Sequence, residues 1–316
     1  MEKVNLWKDG EYDYSLAFGF VPNMVPYLHE DNKVRPCMVV VPGGGYCVVS
    51  PTEGEIVAKK FYDYGYNAFV VTYTTNILMK EPLKDQPMKD LSRAIRYIRK
   101  NAKEYCIDEN KIVICGFSAG AHLCGSICVH YNDVKDENDE LKDISNRPDA
   151  AILSYPVITS GEYAHRESFI ALLGADASKE ELTYYSLEKN VTENTPPVFL
   201  WQTVTDELVP VENSYLFAKA LKEKGVKHAH HVFSSGKHGL SLSNEQWKNC
   251  EFGEPYTMEQ IFEIVKAVKA GTVDIPEENK KGLIDAYDDF KADSGEPVKE
   301  AEIWPELAKQ WLEDIL

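Results

Sequence analysis

The chain has 316 residues, 44% of them hydrophobic, which is enough to form the buried core of a complete globular domain. Its formal net charge of −17 argues against nucleic acid as a partner, because neutralising phosphates needs clustered Lys and Arg. The same charge disfavours polyanionic substrates and leaves neutral or weakly charged ones open.

The first third of the sequence alternates predicted strands with predicted helices. Residues 1–33 are expected to be irregular, with short strands at 4–7 and 25–29. After them come a strand at 37–41, a helix at 52–64, a strand at 68–73 and a helix at 85–104. The apolar runs are continuous rather than alternating, which is typical of strands buried on both faces.

Three consecutive glycines follow the strand at 37–41, in the segment Pro42-Gly43-Gly44-Gly45-Tyr46. Glycines leave the backbone N–H groups unobstructed, which suits them to bind an oxyanion. This is the position of the HGGG-type oxyanion loop, with Pro42 in place of the His. A flexible glycine turn is the alternative, but it does not explain why the loop follows the first strong strand.

A second glycine motif, Gly116-Phe117-Ser118-Ala119-Gly120, joins an apolar strand at 111–115 to a predicted helix at 118–131. In a G-x-S-x-G turn the Ser adopts a strained conformation that exposes its hydroxyl. The flanking glycines are expected because a Cβ there would collide with the neighbouring strand or helix. An ordinary turn with an unreactive Ser is the alternative, and the surrounding strand and helix favour a nucleophile at Ser118.

The second half of the chain continues the alternation. Residues 132–147 are expected to form a polar loop. Further strands are predicted at 150–154, 198–202 and 229–233, with helices near 166–173 and 211–224. The pattern predicts an α/β fold, a mainly parallel central sheet with helices on both faces.

Two of the later strands lead to candidate partners for Ser118. Asp206 follows one of them, with Glu207 as a competing acid and helix capping as its alternative role. His238 lies in a polar loop after the last strand and is the best placed of the eight His to act as a base. His122 shares a helix face with Ser118, so we interpret it as a packing residue. The chain order Ser, Asp, His is that of the α/β-hydrolase fold.

The stretch from residue 250 to about 301 is an insertion, expected to shape the rim of the pocket or an oligomer contact. Residues 271–302 within it are predicted to be a solvated excursion, whose acidic residues do not follow the EF-hand order for calcium. An apolar stripe then predicts a closing helix at 303–315, docked on the sheet. Together these elements predict a single domain over residues 1–316.

Nothing in the sequence predicts a membrane partner. The start of the chain lacks the apolar stretch of a signal peptide, and no run approaches the roughly 18 apolar residues of a membrane span. The seven cysteines are scattered through the predicted elements, which is typical of core residues in a reducing compartment. We therefore expect a cytoplasmic location.

The sequence resembles bacterial α/β-hydrolase esterases of the acetyl-xylan esterase and feruloyl-esterase-like type, and more distantly the hormone-sensitive-lipase-like carboxylesterases. The resemblance rests on Pro42-Gly43-Gly44-Gly45-Tyr46, Gly116-Phe117-Ser118-Ala119-Gly120-Ala121-His122-Leu123, Ser154-Tyr155-Pro156-Val157-Ile158 and the blocks around Asp206 and His238. It covers residues 34–244 and the closing helix. Pro42, where lipase-like relatives carry His, favours the carbohydrate esterases.

The resemblance implies hydrolysis of short acyl esters, chiefly acetyl esters on sugars or xylo-oligosaccharides, with no metal or organic cofactor. A general short-chain carboxylesterase and an aryl-formamidase-like amidase are the alternatives on other substrates. A non-catalytic binding protein with a hydrolase fold is a third, and the presence of Ser118, Asp206 and His238 together argues against it.

In the expected mechanism Ser118 is the nucleophile, His238 the general base, and Asp206 the acid that orients the imidazole. Three backbone N–H groups are expected to face the oxyanion, those of Gly44, Gly45 and Ala119. Three side chains that follow the carboxyl ends of strands are expected to contact a small-molecule or oligosaccharide ester, namely Tyr46, Tyr155 and Pro156. Packing is the alternative role of these three.

Overall fold

The structure is a computed structural model that describes residues 3–316. Residues 1 and 2, the beginning of the predicted irregular region, lie outside the described residues. The strands are β1 (Val4–Asn5), β2 (Asn23–Tyr27), β3 (Arg35–Val41), β4 (Asn67–Thr72), β5 (Ile107–Phe117), β6 (Ala150–Ser154), β7 (Val198–Thr203) and β8 (His228–Phe233). They form one sheet in the order β1-β2-β4-β3-β5-β6-β7-β8.

The sheet is parallel from β4 through β8. Only the two pairings that attach β1 and β2 at one edge are antiparallel among the described strands. Every residue of β4, β6 and β7 is buried, which explains their continuous apolar sequences. Parallel strands place their carboxyl ends at one edge, and the glycine loop and the segments with Ser118, Asp206 and His238 all leave the sheet there. The predicted α/β fold is confirmed.

Helices connect the strands and cover the sheet. In chain order they are α1 (Glu55–Asp63), α2 (Gln86–Lys100), α3 (Ala119–His130), α4 (Arg166–Leu173), α5 (Lys179–Tyr184), α6 (Glu212–Glu223), α7 (Glu245–Lys248), α8 (Glu259–Lys269), α9 (Glu277–Tyr287) and α10 (Trp304–Ile315). Among these, no helix of the described chain combines the length and apolar character that a bilayer span requires.

Two hydrophobic cores lie on opposite faces of the sheet. One contains side chains of α2, α3, α4 and α6, including Leu91, Ile127 and Phe217. The other contains side chains of α1 and α10, and in it Trp304 stacks on Trp201 of β7 with ring centroids 5.3 Å apart. The closing helix is therefore docked on the sheet, as its apolar stripe predicts.

The insertion before α10 is more regular than expected. Helices α8 and α9 enclose a third hydrophobic cluster, with Ile261 and Val265 buried and Ile284 and Tyr287 packed against them. Residues 271–302, predicted to be a solvated excursion, thus include a regular helix, α9, although none of its residues is buried. In the sequence of α9, lysines and acidic residues surround a few apolar side chains. The apolar stripe that packs the helix is therefore too short to be a clear helix signal.

Candidate active site

Ser118 lies in the sharp turn between β5 and α3. Its φ of 53° and ψ of −117° are strained for a residue with a side chain, and the residue is 8% exposed. A Cβ on Gly116 would lie 2.5 Å from the carbonyl oxygen of Gly120, and one on Gly120 would overlap the carbonyl oxygens of Val41 and Pro42. Both glycines are therefore required by close backbone approach.

A continuous hydrogen-bonded chain joins the three candidate side chains. His238 Nδ1 lies 2.7 Å from Asp206 Oδ2, and His238 Nε2 lies 2.8 Å from Ser118 Oγ. A carboxylate can only accept, so Nδ1–H donates to Asp206 and Nε2 is free to accept the Ser118 hydroxyl proton. This arrangement suits proton removal from Ser118.

Asp206 is held in place by its own turn. Its Oδ1 accepts the backbone N–H groups of Leu208 at 3.1 Å and Val209 at 2.9 Å. Gln202 Nε2 donates to Oδ2 at 3.3 Å. The neighbouring acid, Glu207, is exposed to solvent. Of the two candidate acids, the structure thus brings Asp206 to the imidazole.

The glycine loop begins beside Ser118, where a Cβ on Gly43 would lie 2.9 Å from Ser118 Cβ. Gly44 and Gly45 have φ values of 122° and 65°, and a Cβ on Gly44 would overlap the carbonyl of Val48. Gly43 N–H donates to Glu53 Oε2 at 2.7 Å, whereas within residues 3–316 the N–H groups of Gly44, Gly45 and Ala119 donate to no protein acceptor. They are the three groups predicted to face an oxyanion.

Tyr46 is buried, at 1% exposure, and its hydroxyl donates to His122 Nδ1 at 2.8 Å. The other ring nitrogen of His122 donates to the carbonyl oxygen of Tyr185 at 2.8 Å. Burial lowers the pKa of His122 to about 4, so the ring is neutral at neutral pH. These contacts favour the packing alternative for Tyr46, which anchors the glycine loop to α3.

Tyr155 and Pro156 are also buried, so the expectation that they contact substrate is not supported. The Tyr155 hydroxyl donates to Glu53 Oε1 at 2.7 Å and accepts the backbone N–H of Ser241 at 3.0 Å. Its ring packs edge-on against His238, with centroids 5.0 Å apart. Burial, with the nearby Glu53 charge, raises the pKa of Tyr155 well above its usual value.

Sequence reasoning missed Glu53 altogether. It ends a short 3-10 turn, Pro51–Glu53, directly after the glycine loop, and its carboxylate is buried at 4% exposure. Burial raises its pKa, while hydrogen bonds from Tyr155 and Gly43 and the proximity of His238 oppose that shift. In the sequence it resembles any acidic residue at the start of a helix, so no local signal distinguishes it.

A narrow gap near the glycine loop is lined by side chains of α3, α4 and the loop after β6, together with Tyr46. Ser168 Oγ lies 3.9 Å from where a Cβ on Gly45 would sit and 2.8 Å from His165 Nδ1. The gap has no room for a water molecule, and its lining residues are Tyr46, His122, Val157, Ser168, Phe169 and Leu172. In residues 3–316 no three His, Cys, Asp or Glu side chains are grouped as metal ligands.

Known proteins with similar sequences include a xylanase and an acetylxylan esterase. Endo-1,4-beta-xylanase B of Butyrivibrio fibrisolvens is 57% identical over 260 residues, 82% of this chain and 41% of that protein. Acetylxylan esterase of Xylanibacter ruminicola is 33% identical over 227 residues, 69% of this chain and 44% of that protein. The chain thus spans about two-fifths of the length of these two curated relatives.

A solved structure is similar over nearly its whole length. The crystal structure of an acetyl ester-xyloside bifunctional hydrolase from Caldicellulosiruptor lactoaceticus has a TM-score of 0.71 at 36% identity, covering 86% of this chain and 97% of that one. The profile of the BD-FAE family matches residues 26–221. With its sheet order, its serine turn and these matches, the chain belongs to the BD-FAE family of α/β-hydrolase esterases.

Proposed function

We propose that this protein is a serine esterase that removes acetyl groups from sugars or xylo-oligosaccharides through an acyl-enzyme. The observation that carries the proposal is the hydrogen-bonded chain from Asp206 through His238 to Ser118, set beside backbone N–H groups with no protein acceptor. Together these supply a nucleophile, a base and an oxyanion site.

In the acylation step, Ser118 Oγ forms a bond to the ester carbonyl carbon while His238 Nε2 takes the hydroxyl proton. The carbonyl oxygen becomes an oxyanion and accepts the N–H groups of Gly44, Gly45 and Ala119. Loss of one such donor typically costs about 3 kcal/mol of transition-state stabilisation. The imidazolium, held by Asp206, then gives its proton to the departing alcohol as the carbon–oxygen bond to that alcohol breaks.

In the deacylation step the same groups act on water. His238 removes a proton from the water as it attacks the Ser118 ester, and the oxyanion forms in the same place. Collapse of this intermediate returns the proton to Ser118 Oγ and releases acetate.

The surroundings of Ser118 support a short acyl group and a polar alcohol. The gap lined by Tyr46, Phe169 and Leu172 has no room for a water molecule, so it offers no pocket for a long acyl chain. His165 lies close enough to Asp206 and His238 to respond to their charges, and the exposed Glu167 is 3.8 Å from its ring. The similarity to an acetylxylan esterase favours a sugar as that alcohol.

Xyloside hydrolysis is the second activity to test, because the relative from Caldicellulosiruptor lactoaceticus is described as an acetyl ester-xyloside bifunctional hydrolase. Glycosidases ordinarily use two carboxyl groups about 5 to 9.5 Å apart across the scissile bond. Here Asp206 and Glu53 are buried, and both oxygens of each accept hydrogen bonds from protein groups. We therefore propose ester cleavage and expect no xyloside cleavage from this site.

The test is a substrate panel with purified protein and Ser118→Ala. We expect kcat/KM to be highest for the acetyl ester in a 4-nitrophenyl series and to fall sharply by octanoyl. Each methylene adds only about 0.8 kcal/mol, and only where a pocket receives it. Acetylated xylo-oligosaccharides should release acetate. Ser118→Ala should keep its circular dichroism spectrum and lose about four orders of magnitude in kcat.

Three outcomes would contradict the proposal. Turnover by Ser118→Ala equal to that of the wild type would exclude the serine mechanism. A preference that rises with acyl length would favour a general carboxylesterase, and faster hydrolysis of an N-formyl aryl amide would favour an amidase. 4-Nitrophenyl xyloside, added to the same panel, tests the second activity, and release of 4-nitrophenol from it by both the wild type and Ser118→Ala would show that a second site cleaves xylosides.

A further inference from the structure

We propose that Glu53 is a positioning residue for the reaction. It fixes the glycine loop and the loop that carries His238 in their positions around Ser118. It also adds a second negative charge near the His238 imidazole. The inference rests on the proposed serine esterase function. It assigns a role to a buried carboxylate that lies outside the Ser-His-Asp chain.

The Glu53 carboxylate bonds to the glycine loop directly and, through Tyr155, to the loop that carries His238. Its Oε2 accepts Gly43 N–H at 2.7 Å, at the start of the glycine loop. Its Oε1 accepts the Tyr155 hydroxyl at 2.7 Å, and that hydroxyl accepts the N–H of Ser241, three residues after His238. One carboxylate thus links the oxyanion groups to the loop that carries the base.

The directions of these hydrogen bonds fit a carboxylate. Gly43 donates its N–H to Oε2, and the Tyr155 hydroxyl donates its one hydrogen to Oε1 while its oxygen accepts the Ser241 N–H. Both Glu53 oxygens are therefore acceptors, as in the ionised form. A Gln at this position would turn an NH2 group towards one of the two donors and would lose that bond.

The linked backbone segments are strained and need such support. Ser118, Tyr155 and Ser241 have φ values of 53°, 37° and 47°. A Cβ on Gly43 would lie 2.9 Å from Ser118 Cβ and 3.0 Å from Glu53 Oε2, so Gly43 fits between the nucleophile and the carboxylate. A shift of Glu53 would therefore be transmitted directly to the groups beside Ser118.

The charge of Glu53 also acts on His238. The charged or titratable groups that face the imidazole are Asp206, Glu53, His165 and, through its ring, Tyr155. Burial lowers the pKa of His165 and raises that of Tyr155, which keeps both neutral at neutral pH. Asp206 and Glu53 are thus the two negative charges that favour the imidazolium formed during catalysis.

The other titratable groups around Glu53 do not offset its charge. Besides Tyr155, they are Tyr73 and Cys115, which face it from β4 and β5. Burial raises the pKa of each well above its usual value, so neither carries charge at neutral pH. Neither group therefore cancels the charge that an ionised Glu53 places near His238.

The test is the pH profile of acetyl ester hydrolysis by Glu53→Gln, beside the wild type and Ser118→Ala. We expect kcat to fall by about 10- to 100-fold with KM little changed, because the oxyanion groups lose their alignment. The acid limb of kcat/KM should move to lower pH, since removal of a negative charge makes the imidazole easier to deprotonate. A purely structural role would not move this limb.

Two further variants separate charge, alignment and folding. Asp90 is an equally buried carboxylate, bonded to Thr74 away from the triad, so Asp90→Asn should lower the unfolding temperature and leave the acid limb unchanged. Tyr155→Phe keeps the Glu53 charge but removes the link to Ser241. It should lower kcat about 10-fold without moving the limb to lower pH.

An unchanged kcat and acid limb in folded Glu53→Gln would overturn the proposal. Should that variant be insoluble, an unchanged kcat in Tyr155→Phe would do the same. Failure of the function itself looks different, because the wild type would then be inactive or equal to Ser118→Ala. If the wild type is active and Ser118→Ala is inactive, the proposed serine mechanism holds. A failed prediction for Glu53→Gln then contradicts only the role proposed for Glu53.

Discussion

The buried imidazole of His122 predicts a loss of stability in mild acid. In the folded protein burial lowers its pKa from 6.5 to about 4, and Tyr46 and Tyr185 occupy both ring nitrogens. Because the folded-state pKa lies below the unfolded-state value, the stabilisation is fully present above about pH 6.5 and is lost as the pH falls towards about 4. Acidification therefore favours the unfolded chain, which binds the proton.

The size of the effect follows from proton linkage. At about pH 5.5 an unfolded imidazole is roughly 90% protonated, whereas folded His122 is roughly 3% protonated. The free energy of unfolding should then be lower than at about pH 7.5 by about 1.4 kcal/mol from this residue alone. The lower pH stays above the isoelectric point of about 5.0, where a protein of zero net charge tends to precipitate.

The assay is urea denaturation of the wild type and His122→Gln at both pH values. The variant should be less stable than the wild type at each pH, because Tyr46 loses a matched acceptor. Its additional loss on acidification should nevertheless be smaller than that of the wild type by about 1.4 kcal/mol. The other buried His are present in both proteins and cancel. Equal losses in the two proteins would refute the assignment of a neutral, buried His122.

Two other predictions use matched pairs of variants. Asp206→Asn should lower kcat for an acetyl ester by about 10⁴-fold, because the imidazole would adopt the wrong tautomer. Glu207→Gln, at an exposed position, should change kcat little. If Glu207→Gln lowered kcat more than Asp206→Asn, Glu207 would be the acid of the triad. Gly120→Ala should abolish soluble expression, because its Cβ overlaps two carbonyl oxygens at the end of β3. Gly282→Ala, in α9 with open space around it, should raise the unfolding temperature by about 1–2 °C in a thermal scan, and a decrease would contradict this reasoning.

The central sheet and the relative order of Ser118, Asp206 and His238 could be predicted because each residue follows a continuous apolar run. Apolar runs of this kind are strong signals for buried parallel strands, and the carboxyl ends of such strands meet at one edge. The predicted boundaries of β6 and α4 coincide with those in the structure. Strand β5 is longer than predicted because polar residues at 108–110 precede its apolar part.

Other features had weak signals or none. Helix α5 begins with a capping box formed by Ser178 and Glu181. With only six residues, the helix is too short to show a helical apolar period in the sequence. The buried residues of α8 have helical spacing inside a segment whose overall composition is polar. Glu53 and Tyr155 become partners only through tertiary contact across 102 positions of the chain, and no local pattern reports such a contact.

Helices α8 and α9 give the insertion a hydrophobic cluster of its own, and buried hydrogen bonds between Gln260 and Thr75 join this unit to the rest of the domain. Its small core is distinct from the two that cover the sheet, so the free energy of opening it is set by fewer buried side chains. Such a unit can unfold locally while the sheet remains folded. Because Tyr287 at the end of α9 and Val48, shortly after the glycine loop, both pack against this cluster, fluctuations of the insertion would reach the edge of the catalytic centre without breaking its hydrogen-bonded chain.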